Sequence, residues 1–350
     1  MADLTSDPAV LKVRGPGDLI EAVPYLLGFH PRDSLVLIGL GHDEDHDRDG
    51  VTITARLDLA DAVASHRVID ETVRAVTRSG AAGLVAVVFD DNAIPEQGAD
   101  LPWRALVEQI DESAEYGGVA MRDALLVSSG RWWSFTCADP DCCPSEGHAL
   151  DGASSTAAAT ATYAGLVALP NRDELARTLA PQDVQRRRAV LPLLEAAEER
   201  AVQAILDGNG DRHHRSVKRA LFAAARDADT ALFPGRTGPL TDEQVARFAV
   251  GLADIAVRDS VWLAVDQRRL DGRALWRELA RRAPEPYDAA ALFLFGWAEW
   301  RAGNGVLAGI AAERALTSDP NYTAAELLLG ALRRGLDPHR TPRLRMPKSA

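Results

Sequence analysis

The sequence predicts an α/β N-terminal domain, a mixed sheet with flanking helices, followed by an all-α C-terminal domain of helical-repeat character. Three observations predict it. Residues 35–40 are apolar at every position but Gly39, as in a strand covered on both faces. A second run of this kind, residues 82–89, follows a helical stretch and closes on Asp90-Asp91. From about Ala153 onward strand signals largely vanish and helix caps and apolar stripes replace them. A chain of 350 residues exceeds what one hydrophobic core usually supports, so two domains are expected. Their expected limits are residues 1–152 and 153–340, with a basic flexible tail over 341–350.

Taken in order, residues 11–14 read as a short strand, broken by Gly15-Pro16-Gly17 before Asp18 caps a helix through Leu19, Ile20, Ala22 and Val23. Pro24 costs that helix a hydrogen bond or starts a new turn. A turn over residues 28–33 leads into the central strand. Residues 41–50 form an acidic loop, and Val51, Ile53, Ala55 and Leu57 then alternate with polar residues, so the pair reads as a hairpin. Residues 61–78 read as one helix with Val63, Ile69, Val73 and Val76 inward. Residues 101–116 read as another helix, closed by Gly117-Gly118. Residues 123–136 form a second hairpin across Ser128-Ser129-Gly130-Arg131.

In the second half, Asn171 with Glu174 and Thr241 with Gln244 are capping boxes. Val217, Leu221, Ala224 and Ala228 form one apolar stripe; Val245, Phe248, Ala249, Leu252 and Ala256 form another. Residues 233–239, rich in Gly and Pro, are the expected joint within this half. Tyr287-Asp-Ala-Ala-Ala-Leu-Phe-Leu recurs, offset by 35 residues, as Tyr322-Thr-Ala-Ala-Glu-Leu-Leu-Leu. A period of that size signals stacked helix pairs, here over residues 289–332.

Composition narrows the function. Residues 1–152 carry 11 Lys/Arg against 27 Asp/Glu, whereas residues 153–350 carry 28 against 24. An acidic first half repels phosphate backbones and anionic lipid, so nucleic acid and membrane are not expected partners of it. Only Lys12, Lys218 and Lys348 are lysine, a bias of base composition that says nothing about bidentate recognition. Residues 1–8 lack a basic segment followed by an apolar core, and no apolar run approaches the roughly 18 residues that cross a bilayer. Three cysteines bunched together fit a reducing compartment, and the cytoplasm is the expected location.

Two resemblances add to this reading. Gly296, Ala308, Ala315 and Pro320, with Leu292 and Phe295, stand at the spacing of a tetratricopeptide repeat, and the end of the chain resembles that family. Glu299 and Ala312 depart from its pattern. More widely, Val23-Pro-Tyr-Leu-Leu-Gly-Phe-His-Pro31, then Arg131-Trp-Trp-Ser with Cys142-Cys143-Pro144, then residues 292–320, resemble the actinobacterial domain-of-unknown-function family numbered 4192. That resemblance implies the architecture and leaves the activity open.

The sharpest cluster of reactive side chains is Cys137, Cys142, Cys143 and His148, spaced C-x4-C-C-x4-H just after a strand. Thiolates and an imidazole suit tetrahedral zinc, and redox-active thiols are another reading; plain loop packing is the favoured one. His42, Asp43, Glu44, Asp45, His46, Asp47 and Asp49 offer hard ligands in one tip. They lack the glycine and the distal Glu of an EF-hand, so a solvated tip is the favoured reading. His30, Asp33 and Ser34 precede the central strand and could face a catalytic pocket with Asp90 and Asp91, although turn capping is the favoured account of them. No nucleophile elbow, Walker loop or dinucleotide fingerprint is present.

The basic patches Arg186–Arg188 and residues 212–219 read as solvated helix faces. Trp276, Trp297 and Trp300 read as core, with a concave groove through Trp297 and Trp300 as the partner-binding alternative. Two roles follow. The leading one is a protein-interaction or scaffold module acting through the helical end, with a protein as its partner. The other is an enzyme or small-ligand or metal-binding protein using the cysteine loop or the His30 turn.

Overall fold

The computed structural model describes residues 13, 15–43, 48–96, 100–150, 156–163, 166–230 and 240–345. The chain divides into two compact units: Met1–Leu175 with Arg333–Asp337, and Ala176–Leu332 with Pro338–Ala350. The division expected at residues 152–153 falls within 151–155, outside the described residues, as do the joint at 233–239 and all of the 11–14 strand but Val13.

In the first unit six strands form one mixed sheet in the order β2-β1-β3-β4-β5-β6. They are β1 (Ser34–Asp43), β2 (Arg48–Asp58), β3 (Gly83–Phe89), β4 (Ala120–Ser128), β5 (Arg131–Ser134) and β6 (His148–Ala149). Of these neighbours only β3 and β4 run parallel, joined by α4 (Arg104–Gly117); the others are antiparallel. The continuous apolar runs are explained by burial on both faces. Leu35, Leu37, Leu84, Ala86, Val88 and Leu126 share one interior with Ile69, Val73 and Val76 of α3 (His66–Arg78) and Ile110 of α4. Their alternates Val36, Ile38, Val85 and Val87 are equally buried on the opposite face.

Three local readings need correction. α1 (Pro16–Leu27) begins after Gly15, so Asp18 sits in its first turn, where a carboxylate favours the helix dipole, and Pro24 lies inside the helix. Residues 61–78 are not one helix: α2 (Leu59–Ala64) stops at Ser65, which is extended, and α3 starts afresh. The break rotates Val63 off the inward face and leaves it exposed. The acidic loop is also shorter than expected, because β1 and β2 stay paired out to Asp43 and Arg48. The β4–β5 hairpin turns on Ser129 and Gly130, both with positive φ, the geometry that matches strand twist.

After α5 (Thr156–Tyr163) and α6 (Arg172–Arg177), the second unit is built of helices: α7 (Val184–Leu206), α8 (Gly210–Thr230), α9 (Asp242–Ala253), α10 (Ile255–Asp266), α11 (Arg273–Arg282), α12 (Ala289–Arg301), α13 (Gly305–Ser318) and α14 (Thr323–Arg333). Thr241 and Gln244 make a complete capping box, and Asn171 Oδ1 accepts from Glu174 N at 2.9 Å. The 245–256 stripe ends early, because Asp254 caps a new helix and turns Ala256 outward.

Every residue of α12 is buried, Glu299 and Arg301 included. A Cβ on Gly296 would lie 3.1 Å from Ala308 O and 3.2 Å from Ala311 Cβ, so this glycine lets α12 and α13 approach closely. Ala308 and Ala315 are fully buried there. Trp297 and Trp300 are 7% and 3% exposed. They pack edge to face at 4.8 Å, and Trp297 also meets Trp262 at 5.0 Å, so they fill the interior and line no open groove for a partner.

The expected flexible tail is anchored as far as it is described. Arg343 Nη1 donates to Asp266 O at 2.7 Å, Gln267 Nε2 donates to Leu344 O at 2.9 Å, and Arg301 Nη1 donates to Thr341 O at 2.9 Å. Hydrogen bonds to backbone carbonyls and to the Asp266 carboxylate hold this segment. Residues 346–350 lie outside the described residues.

Candidate metal centre

The cysteine loop leaves the sheet at the end of β5 and returns at β6. Ser134 starts it by accepting the Thr136 and Cys137 amides at 3.2 and 3.1 Å, itself held by a hydrogen bond to Asp123 Oδ1 at 2.9 Å. Asp139 O then accepts the amides of both Cys142 and Cys143, at 3.1 and 2.6 Å, which folds the loop back on itself. Trp133 Nε1 donates to Ser145 O at 3.0 Å, and Arg131 donates to Glu146 O and Gly147 O at 2.6 Å each. Gly147 has φ 71°, and a Cβ there would collide with the Trp133 ring, so only glycine closes the loop this way.

The outcome is convergence. The sulfurs of Cys137, Cys142 and Cys143 all lie within 4.8 Å of one another. A tetrahedral zinc with bonds of about 2.3 Å sets its sulfurs about 3.8 Å apart, so small side-chain rotations suffice to ligate one ion. Cys142 is exposed, and the other two are half-buried. Hydrogen bonding from Cys143, then from the Asp139 backbone, holds the Cys137 thiol below its usual range. Burial pushes the Cys143 thiol up to about 12, reinforced by the hydrogen bond it gives Cys137. The hydrogen bond to Cys137 likewise raises Cys142. Cys137 is thus the sulfur of the three that gives up its proton most readily, and a cation drawing off the protons of the other two is the chemistry the cluster invites.

His148 does not join the sulfurs. Its ring stacks on Trp132 at 4.4 Å and 22°, and its backbone pairs with Trp132 in the β5–β6 ladder. It does line the cavity of about 190 Å³ that also receives Cys137 and Cys143, together with Trp133, Arg104, Glu96 and Asp100. Two of the three sulfurs therefore face the same space as an imidazole and two carboxylates.

A family model for a domain of unknown function, DUF4192, matches residues 16–339. The chain belongs to that family. No match was found among curated proteins or among solved structures. The DUF4192 match spans the sheet, the cysteine loop and the helices through α14, and it names no activity to assign to any of them.

The remaining candidates of this DUF4192 chain serve its turns. Because β1 is antiparallel to β3, Ser34 stands opposite Phe89, so the start of β1 and Asp90 share one edge of the sheet. The residues there are nevertheless occupied by structure. Asp90 accepts from Asn92 N and from Trp103 Nε1, both at 2.9 Å. Asp33 O accepts the Leu59 amide at 2.8 Å, and Ser34 Oγ accepts from Arg56 Nε at 2.9 Å. His30 is exposed, and its amide donates to Leu169 O at 2.9 Å. Among the described residues neither His30 nor Asp33 hydrogen-bonds Asp90. Residues 44–47 of the acidic tip lie outside the described residues.

Sequence spacing gathers the three thiols, and the fold holds the fourth residue of the pattern apart from them. Residues 148–149 form a short strand, and a residue fixed in a ladder against Trp132 is not free to close a loop around an ion. Arg104 and Glu96 gave no signal, because they reach the cavity from outside the cysteine loop.

Proposed function

We propose that this protein binds a thiophilic divalent cation, zinc foremost, through Cys137, Cys142 and Cys143, and uses it to hold or activate a small ligand. The single observation behind this reading is the meeting of three sulfurs, two of them on the wall of a cavity. Three protein ligands with a fourth position left to water or substrate is the pattern of zinc sites that do chemistry; closed structural sites supply four. His148 and Glu96, on the walls of the same cavity, would orient or protonate what binds there. Three free thiols agree with a reducing compartment, the cytoplasm, as the place of action. Among the described residues no helix is long and apolar enough to cross a membrane.

The test is elemental analysis of untagged full-length protein purified without added metal. About one zinc per chain, falling at least about tenfold in Cys142→Ser, supports the reading. Zinc well below one per chain, or content indifferent to Cys142, removes it.

A second reading, a protein-interaction module, is favoured by α7. Val184, Leu191, Val202, Ile205 and Leu206 are all exposed on that helix. At about 100° per residue they fall on one stripe, the kind of face that receives an apolar helix of a partner protein. Affinity capture with wild type and with a Val202→Asp/Ile205→Asp double variant decides it: proteins retained equally by both baits end this reading.

A further inference from the structure

We propose that the three-sulfur centre is an oxidant-gated one: a hydroperoxide closes a disulfide between Cys137 and Cys142 and so releases the bound cation. This rests on the metal reading above and adds its regulation. The geometry supplies each requirement. Cys142 is the exposed member of the cluster and so the one a dissolved oxidant reaches first. The other two sulfurs already lie within 4.8 Å of it and of each other, so a resolving thiol needs no rearrangement of the sheet to arrive.

Of the two, Cys137 is the partner. Adjacent residues have Cα atoms about 3.8 Å apart, shorter than the roughly 4.4–6.8 Å a disulfide spans, so Cys142 and Cys143 resist bridging each other. Cys137 precedes the turn that Asp139 O closes, and its sulfur lies within 4.8 Å of that of Cys142. His148, the remaining residue of the C-x4-C-C-x4-H pattern, does not replace a lost sulfur, because its ring is stacked on Trp132.

The chemistry balances. Bound to the cation, both sulfurs are thiolates. The Cys142 thiolate attacks one peroxide oxygen, the O–O bond breaks, and a sulfenic acid and hydroxide form, the sulfenic proton coming from the peroxide. The Cys137 thiolate then attacks the Cys142 sulfur, the S–O bond breaks, and a second hydroxide leaves as the S–S bond forms. Two sulfurs give up two electrons and the peroxide takes them; the cation, left with one thiolate, passes to solvent.

The experiment uses zinc-loaded full-length protein and hydrogen peroxide. Zinc release is read with a chromogenic chelator, thiols are counted, and the linkage is mapped by mass spectrometry of unreduced peptides. The expected result is one zinc released for every two thiols lost, a Cys137–Cys142 link, and recovery of zinc binding after dithiothreitol. Cys142→Ser should lose its remaining thiols about tenfold more slowly. Zinc retained through oxidation, released without a disulfide, or released with a Cys142–Cys143 link overturns the inference while the metal reading stands. A chain that takes up no zinc beforehand overturns both.

Discussion

His148 lies flat against Trp132, ring centroids 4.4 Å apart and planes 22° apart, and the two residues also pair through their backbones across β5 and β6. That relationship removes the imidazole from the metal site that the C-x4-C-C-x4-H spacing suggests. His148→Ala should therefore leave zinc affinity within about threefold of wild type in a chelator competition. A loss of about a hundredfold would make His148 a ligand.

Gly147 sets the return of the loop. Its positive φ, and the overlap that any Cβ there would have with the indole of Trp133, mean that Gly147→Ala strains the backbone and displaces the ring together. The backbone part alone costs about 1–2 kcal/mol. Zinc affinity should fall by at least about tenfold while the circular dichroism of the helices is unchanged; unchanged affinity would show that the loop tolerates another closure.

The central strands were legible in the sequence to within a few residues because they are apolar on both faces, and only a two-sided layer accommodates that; β6, two residues long, carries no such pattern. What could not be read is informative. The split between α2 and α3 turns on the extended backbone of Ser65, which no periodicity records. The pairing of β1 against β3 depends on chain direction, so the sequence could not say that Ser34 and Asp90 share an edge. At the candidate site the three thiols announce themselves by chemistry, whereas Arg104 and Glu96 arrive through folding alone. Trp297 and Trp300 could be read as core or as groove; Asp266, which accepts from Trp297 Nε1 at 3.0 Å, decides for the core.

Asp266 carries a second consequence. It and Arg301 are 0% and 3% exposed, with Arg301 Nε donating to Asp266 Oδ1 at 2.6 Å, and Asp266 also receives the Leu344 amide at 2.5 Å. Asp266→Ala leaves a buried guanidinium without its counter-charge, which typically costs about 3–5 kcal/mol. Urea unfolding should show a loss of that size, with truncation after Asp337 giving a smaller loss because it removes backbone acceptors of Arg301 and Gln267 and the donors of Arg343 and Leu344 but leaves the Asp266–Arg301 pair itself in place. Equal stability of Asp266→Ala and wild type would contradict the assigned pairing.

Burial pushes the Glu299 carboxyl above the usual glutamate range, against the Asn304 hydrogen bond and the Arg273 charge that draw it down. A carboxyl raised on folding binds its proton more tightly in the folded chain. Its cost to stability is therefore present above the folded value and shrinks as pH falls toward the unfolded one. Glu299→Gln should raise Tm at about pH 7.5, and the gain should narrow at about pH 5. A gain that widens on acidification would reverse the sign assigned to Glu299.

That Cys137, Cys142 and Cys143 ligate a single ion can be read without intermediates from X-ray absorption at the zinc edge of zinc-loaded full-length protein. The spectrum should show three sulfur neighbours at about 2.3 Å and one lighter neighbour near about 2.0 Å. A first shell dominated by nitrogen and oxygen, or one of four sulfurs, which a single chain with three cysteines cannot furnish, would contradict the assignment.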